Sequence, residues 1–169
     1  MKLPLAGSVR RALLLAAGSS VVPIRHRARL LRLLGLTGVE KSALGHGITF
    51  CNPKAVETGP SCFINNQVYF DAGPVVLGTK VTVGPRAMFI TGDHSIGRSD
   101  QRAGAVTHRG ISVGDGAWIG AGVIVLPGIR IGSGCIIGAG AVVTADCLPD
   151  GVYAGIPARK LRDLKPSAR

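Results

Sequence analysis

Aromatic residues are scarce in this chain: one tryptophan, two tyrosines and four phenylalanines among 169 residues. A core short of rings must be filled by Val, Ile and Leu, and the 25 glycines then suit a repetitive β architecture better than an ordinary α/β domain. Cysteine is sparse too. Cys51, Cys62, Cys135 and Cys147 show no Cys-x-x-Cys spacing, which argues against a structural metal or a disulfide framework and for a reducing cytoplasm. Acidic residues are outnumbered, 9 against 20 basic, and the net charge is +11. That imbalance is concentrated in residues 1–47, where eight Lys and Arg stand against Glu40 alone. No aromatic residues interleave with these arginines and no nucleic-acid motif accompanies them, so a nucleic-acid partner is not expected. No apolar run approaches the ~20 residues of a membrane-spanning helix. The run ALLLAA at 12–17 is short, and Pro4 and Gly7 break its front, so export by a secretion signal is not expected.

What is present is a period of six. Val113, Ile119, Val125, Ile131, Ile137 and Val143 keep an aliphatic register without a slip. Glycine follows at 114, 120, 132 and 138, and a second glycine position recurs at 116, 122, 128, 134 and 140. A helix repeats near 3.6 and a strand near two, so a period of six is a strand plus a corner. Three such units close one triangular coil, and coils stack at about 4.8 Å. The aliphatic residue points inward, and small residues allow the turn. These features predict a parallel β-helix in which Cys135 is a small core residue.

The register extends upstream through Leu77, Val83 and Phe89, with Ile64 and Phe70 six apart before them. The step from Phe70 to Leu77 is seven, which predicts a bulged corner near Gly73–Pro74. Residues 93–110 break the pattern, are polar, and return in phase, so they form a loop excursion from one corner. From Pro23 the text IRHRARLLRLLG reads as a helix closed by Gly35. Arg25, Arg29 and Arg32 fall on one face, with Ile24, Ala28, Leu31 and Leu34 on a neighbouring stripe. Two readings stay open: a cap over the end of the coil, or a surface meeting anionic lipid or an acidic partner. The expected division is a basic amino-terminal segment 1–47, a β-helix 48–165 and a tail 166–169.

Three stretches carry a resemblance: FINNQVYFDAGPVVLG (63–78), ITGDHSIG (90–97) and the block from AWIGAG at 117 to GIPARKLRDL ending at 164. Over about residues 48–165 the chain resembles the hexapeptide-repeat acyltransferases, most of all sugar O-acetyltransferases of the maltose and galactoside type. The resemblance implies an all-β, left-handed parallel β-helix, a homotrimer, acetyl-coenzyme A as cosubstrate and no metal. It implies transfer of acetyl to a hydroxyl of a sugar or glycan.

Such a transfer needs a base for the hydroxyl proton, and histidine suits that task. His94 matches the family's catalytic histidine, although Asp93–His94–Ser95 stands where Thr-His-Pro is usual. Asn65 and Asp71 match polar positions used near the acceptor, and either Asp71 or Asp93 would orient the base. By the same resemblance, Trp118 and the backbone at Gly120–Ala121 and Gly138–Ala139 line the pantetheine groove. Thr144 matches a coenzyme contact, and Arg159 and Arg162 meet the nucleotide phosphates. His108, beside Arg109, is expected to be solvated or to face the acceptor. Two other readings remain: a non-catalytic scaffold, which would need neither the base nor an outward tryptophan, and an acyltransferase for an amine or other non-sugar acceptor. A zinc lyase on the same fold needs three histidines per metal, and only His94 and His108 lie near the coils. The missing sugar-type amino-terminal domain and the basic lead-in point to a glycan acceptor at the cytoplasmic membrane face.

Overall fold

The computed structural model describes residues 16, 18–33, 39 and 42–165. The ALLLAA run apart from Ala16, together with Leu34, Gly35, the Arg25 and Arg32 side chains and the tail 166–169, lies outside the described residues.

Short strands stack into a three-faced prism. The first face carries Ala43–Leu44, Phe63–Ile64, Thr82–Val83, Trp118–Ile119, Ile136–Ile137 and Gly151–Ala154, paired in parallel, with Arg159–Asp163 closing it antiparallel. The second face stacks Thr49–Phe50, Tyr69–Phe70, Met88–Phe89, Ile124–Val125 and Val142–Val143. The third stacks Val56–Thr58, Val75–Leu77, Ile111–Val113 and Arg130–Ile131, and a bridge to Cys147 continues it. The first strand, Ala43–Leu44, lies ahead of residue 48, where the sequence placed the start of the coil.

Each hexad works as its period demands. Ile119, Val125, Ile131, Ile137 and Val143 are all buried, and so is the residue two places before each: Ala117, Val123, Ile129, Cys135 and Ala141. Along the second face Phe50, Phe70 and Phe89 stack in register, with centroids 5.3 and 5.1 Å apart and ring planes within 7°. Parallel in-register pairing places like on like, which is how so few rings form one continuous column. The three buried cysteines, Cys62, Cys135 and Cys147, are free thiols. Burial raises all three, Cys147 to about 12, so none is poised as a thiolate.

The two glycine positions of the hexad serve different purposes. Gly122 and Gly140 turn the corner with φ of 66° and 70°. Gly120 permits coils to approach: a Cβ there would sit 2.6 Å from the Ala139 nitrogen of the next coil. Upstream, Ser61, Gln67, Lys80 and Arg86 hold the left-handed corner conformation with φ between 55° and 62°. Side chains at these corners make the early repeat irregular in sequence while the coil itself persists. The seven-residue step at Gly73–Pro74 adds one residue to the corner before Val75–Leu77.

The helix Ile24–Leu33 packs against the first strand, burying Ala28 and Leu31 while Ile24 and Leu30 stay exposed. Arg27 is buried, and its Nη1 donates to the Leu44 carbonyl at 3.1 Å. An end coil has a row of main-chain groups with no further strand to bond, and Arg27 satisfies one of them. The helix therefore contacts the end of the prism as a cap does. No helix among the described residues is long and apolar enough to cross a membrane.

Candidate active site

The excursion at 93–110 is an antiparallel hairpin, Gly92–Ile96 with Ala103–His108, bulged between Ala103 and Val106. It leaves the third coil at the edge between the second and third faces. The Arg109 N–H donates to the Thr91 carbonyl at 2.9 Å, which brings the returning strand back to its point of departure.

At the hairpin's root the Asp71 carboxylate Oδ2 accepts from Gly92 N at 2.7 Å, Thr91 N at 3.1 Å and Thr91 Oγ1 at 3.2 Å. Desolvation raises the Asp71 pKa, but the hydrogen bonds from Gly92, Ala72 and Thr91 outweigh it and hold the carboxyl below its ordinary value. The Thr91 hydroxyl also accepts from Gly73 N at 2.8 Å, so one buried threonine ties the corner to the hairpin. Asp71 therefore clamps the main chain from which His94 projects.

His94 stands on the hairpin with its imidazole exposed, and Nδ1 lies 2.9 Å from the Gly104 carbonyl. A carbonyl only accepts, so Nδ1 carries the hydrogen and Nε2 keeps its lone pair. Asp93 accepts from the His94 N–H at 2.8 Å through Oδ1 and pairs with Arg109 at 3.4 Å through Oδ2. Neither carboxylate bonds the ring; the group that orients it is main chain. A Cβ at Gly104 would press on this arrangement, meeting the Ser95 carbonyl oxygen at 2.9 Å as well as the more yielding Ser95 Oγ at 2.6 Å. His108 is exposed, its ring about 3.4 Å from a Cβ built on Gly92, on the side the Asp71 carboxylate also lines.

The remaining sequence candidates do not join this cluster within one chain. Trp118 projects from the first face, 55% exposed, on the side of the prism opposite the hairpin edge. Gly120–Ala121 and Gly138–Ala139 lie where that face turns into the second. Asn65 belongs to the same column of residues, and its Oδ1 accepts from Asn66 N at 2.8 Å. Arg159 and Arg162 are exposed on the closing strand, with Arg162 in register with Val152 at the end of the row containing Trp118 and Ile136. Thr144 is exposed on the hairpin side, two coils further on. The candidates thus divide between opposite sides of the prism: Asp71, Asp93, His94 and Thr144 on one, Asn65, Trp118, Gly120, Ala121, Gly138 and Ala139 on the other.

The second side fits an extended, narrow ligand. Beside the exposed indole the edge carries nothing larger than a methyl group at Ala121, Gly122, Ala139 and Gly140, and a Cβ at Gly122 or Gly140 would meet nothing within 4 Å. Among the described residues no group of three His, Cys, Asp or Glu side chains is placed to hold a metal.

Replacing Asp71 with alanine is expected to speed hydrogen exchange at the Gly92 N–H by about tenfold or more, since three donors lose their acceptor. The depressed Asp71 pKa gives the wild-type clamp the same dependence on pH. Its contribution is full above the ordinary carboxylate pKa, near 4, and is lost as pH falls through the lower folded value. Exchange measured across that window checks both statements; indifference of Gly92 to the substitution would rule out the clamp.

Comparison with known proteins bears on this geometry. The family described as bacterial transferase hexapeptide (six repeats) matches residues 110–145. A Staphylococcus haemolyticus protein assigned to the acetyltransferases is 35% identical over 141 residues, 83% of this chain and 73% of its own length. The sophorolipid acetyltransferase of Starmerella bombicola is 42% identical over 110 residues, 64% of this chain. The match spans 42% of that enzyme, and 54% of an acetyltransferase relative from Schizosaccharomyces pombe, so the chain spans about half the length of these two relatives. Among solved structures, a hexapeptide-repeat acetyltransferase of Vibrio cholerae in complex with acetyl-coenzyme A superposes with TM-score 0.75 at 32% identity, covering 94% of this chain and 86% of that one. A maltose O-acetyltransferase of Clostridium difficile superposes with TM-score 0.81 at 29% identity over the same shares.

Proposed function

Because the chain belongs to the hexapeptide-repeat acyltransferases, we propose that it transfers acetyl from acetyl-coenzyme A to a hydroxyl of a sugar or glycan, with His94 as general base. The observation that carries this is the 2.9 Å contact of His94 Nδ1 with the Gly104 carbonyl, which leaves Nε2 free to accept a proton on an exposed hairpin. As the acceptor oxygen attacks the thioester carbon, its proton passes to Nε2. When the carbon–sulfur bond breaks, the imidazolium returns that proton to the departing sulfur, so the base is regenerated. The sugar acceptor is supported by relatives named for sophorolipid and maltose.

The separation of His94 from Trp118 bears on assembly. The base side of one prism and the groove side of another must meet for acetyl and acceptor to come together, and a closed ring of three copies supplies such a meeting. Outward residues Tyr69, Met88, Ile124 and Val142 form an apolar, partly buried row that suits such packing. Co-expressing His94→Ala with Trp118→Ala tests the shared site. At acetyl-coenzyme A well below the KM of Trp118→Ala, where each variant alone is slow, mixed assemblies containing some intact base–groove pairs should exceed the summed turnover of the two variants. No recovery from proteins shown to co-assemble would place both residues in one chain's site and sink the shared arrangement.

The basic segment 1–47 is the part of this reading concerned with location: it brings the cytoplasmic enzyme to an anionic membrane face, where lipid-linked glycans are presented. Wild-type protein should float with anionic vesicles and a full-length chain with Arg10, Arg11, Arg25, Arg29 and Arg32 replaced by Gln should not. Equal flotation would remove the membrane from the proposal.

A further inference from the structure

We propose that the edge between the first and second faces binds the anionic substituent of the acceptor, a carboxylate or a phosphate, and so makes this enzyme selective for acidic sugars. The inference rests on the acyl-transfer reading above and deepens it.

The site is an open groove of about 520 Å³ lined by His46, Asn66, Gln67, Arg86, Ala121 and Gly122, with Pro85 between them. It stacks four successive corners, joined by Gln67 N to His46 O, Arg86 N to Asn66 O and Gly122 N to Pro85 O at 2.8 to 3.0 Å. Three features give it a sign. Arg86 Nε donates to Gln67 Oε1 at 3.1 Å, which fixes the guanidinium and leaves its two terminal amino groups for a bidentate oxyanion. Among the described residues no carboxylate pairs with Arg86. The edge segments 45–48, 65–68, 84–87, 120–123 and 138–141 contain neither Asp nor Glu, whereas the other two edges carry Asp71 and Asp115.

His46 adds a second observation. Its Nδ1 is buried without a hydrogen-bond partner among the described residues. A shielded lone pair costs less than a shielded N–H that has no acceptor, so the ring hydrogen belongs on Nε2, which makes the ring a donor. Arginine, glutamine amide and imidazole N–H together form a donor set for an oxyanion.

Position decides which anion it meets. Arg159 and Arg162 lie at the far end of the first face, about four strand spacings or ~19 Å from the level of Thr82–Val83. A coenzyme whose phosphates sit at that end, with its arm along Ala139 and Ala121, brings the thioester toward Arg86. What lies beyond the thioester is the acceptor.

The test compares acetyl transfer to methyl glucoside, glucuronate and glucose 1-phosphate, read as thiol release, in wild type, Arg86→Gly and Arg86→Gln. Arg86 has φ 60°, and Gly122 holds the same corner at φ 66°, so glycine suits this backbone; the glutamine variant removes the charge while keeping a side chain. A parallel titration follows the Gly122 amide by NMR as inorganic phosphate or glucuronate is added to the full chain. The expected result is a wild-type preference for an acidic sugar that falls at least tenfold in both variants, and a saturable Gly122 shift that both abolish. The two acidic probes separate a carboxylate site from a phosphate site. Equal loss across neutral and acidic acceptors, or turnover of neutral sugars only with no Gly122 shift, would overturn the proposal and leave acyl transfer standing. A saturable shift lost in both variants, with no turnover of any acceptor, would keep the anion site and refute the acyl-transfer reading.

Discussion

Replacing His94 with alanine is expected to lower kcat by about 10²–10⁴, the range a positioned general base contributes, and to leave acetyl-coenzyme A binding unchanged. The split follows from the layout: the imidazole lies on the hairpin edge, and the coenzyme candidates Trp118, Gly120, Ala121, Gly138 and Ala139 lie across the prism on the first face and its corner. A base that takes the hydroxyl proton acts in the chemical step, so its loss appears in kcat, whereas Trp118→Ala should raise the apparent KM for the coenzyme and spare much of kcat. Thiol release at saturating acceptor, with coenzyme affinity measured by calorimetry, separates the two. Equal losses of affinity and turnover from His94→Ala would mean that the hairpin itself had come apart. Gly104→Ala distinguishes that case. It leaves the imidazole in place but crowds Ser95 and shifts the carbonyl that orients Nδ1, so turnover should drop with little change in melting temperature. No loss in either variant would dismiss His94 as the base.

The sequence carried the coil because its signal is one of residue type. An inward aliphatic every sixth residue has no other use, and the positions from Val113 to Val143 are buried to within 3% of full exclusion. The hairpin could be seen only as an interruption, since Asp93 to Arg109 has no periodicity to read. The orientation of His94 was illegible for a different reason. A backbone carbonyl carries no residue label, so Asp71 and Asp93 drew attention as orienting groups, and the structure gives them the hairpin root and Arg109 instead. Arg27 was hidden among its helix arginines until the fold showed that it reaches an unpaired carbonyl of the first coil. The groove at Arg86 and Gln67 was obscured by the very corner chemistry that makes it. Where the later repeat shows glycine, these residues accept a left-handed backbone and keep a polar side chain on the edge. The separation of base side from groove side follows from the spacing. Residues six apart sit on adjacent faces, so a motif that looks contiguous from Asp93 to Ala121 wraps around the prism.

Two glycine substitutions two residues apart should differ sharply in stability. Gly120→Ala places a methyl 2.6 Å from Ala139 N, 2.7 Å from Ile137 O and 2.9 Å from Ala139 Cα. All three belong to the backbone of the next coil, which is itself bonded through Gly120 N to Ile137 O at 2.8 Å, so no side chain can swing aside. Relief requires separating two coils at a strand spacing set by main-chain hydrogen bonds. Overpacking costs about 1–3 kcal/mol and occasionally more, and backbone on every side puts this site at the upper end, a large part of a margin of about 5–15 kcal/mol. Gly122→Ala meets no atom within 4 Å and suffers only its φ of 66°. That strain is worth about 1–2 kcal/mol, and Gln67 and Arg86 already bear it in the same column of corners. Urea unfolding of both variants decides the matter. The midpoint should fall far for Gly120→Ala and slightly for Gly122→Ala, with the slope preserved. A reversal would mean that the corner, rather than the approach between coils, sets the glycine requirement of the hexad.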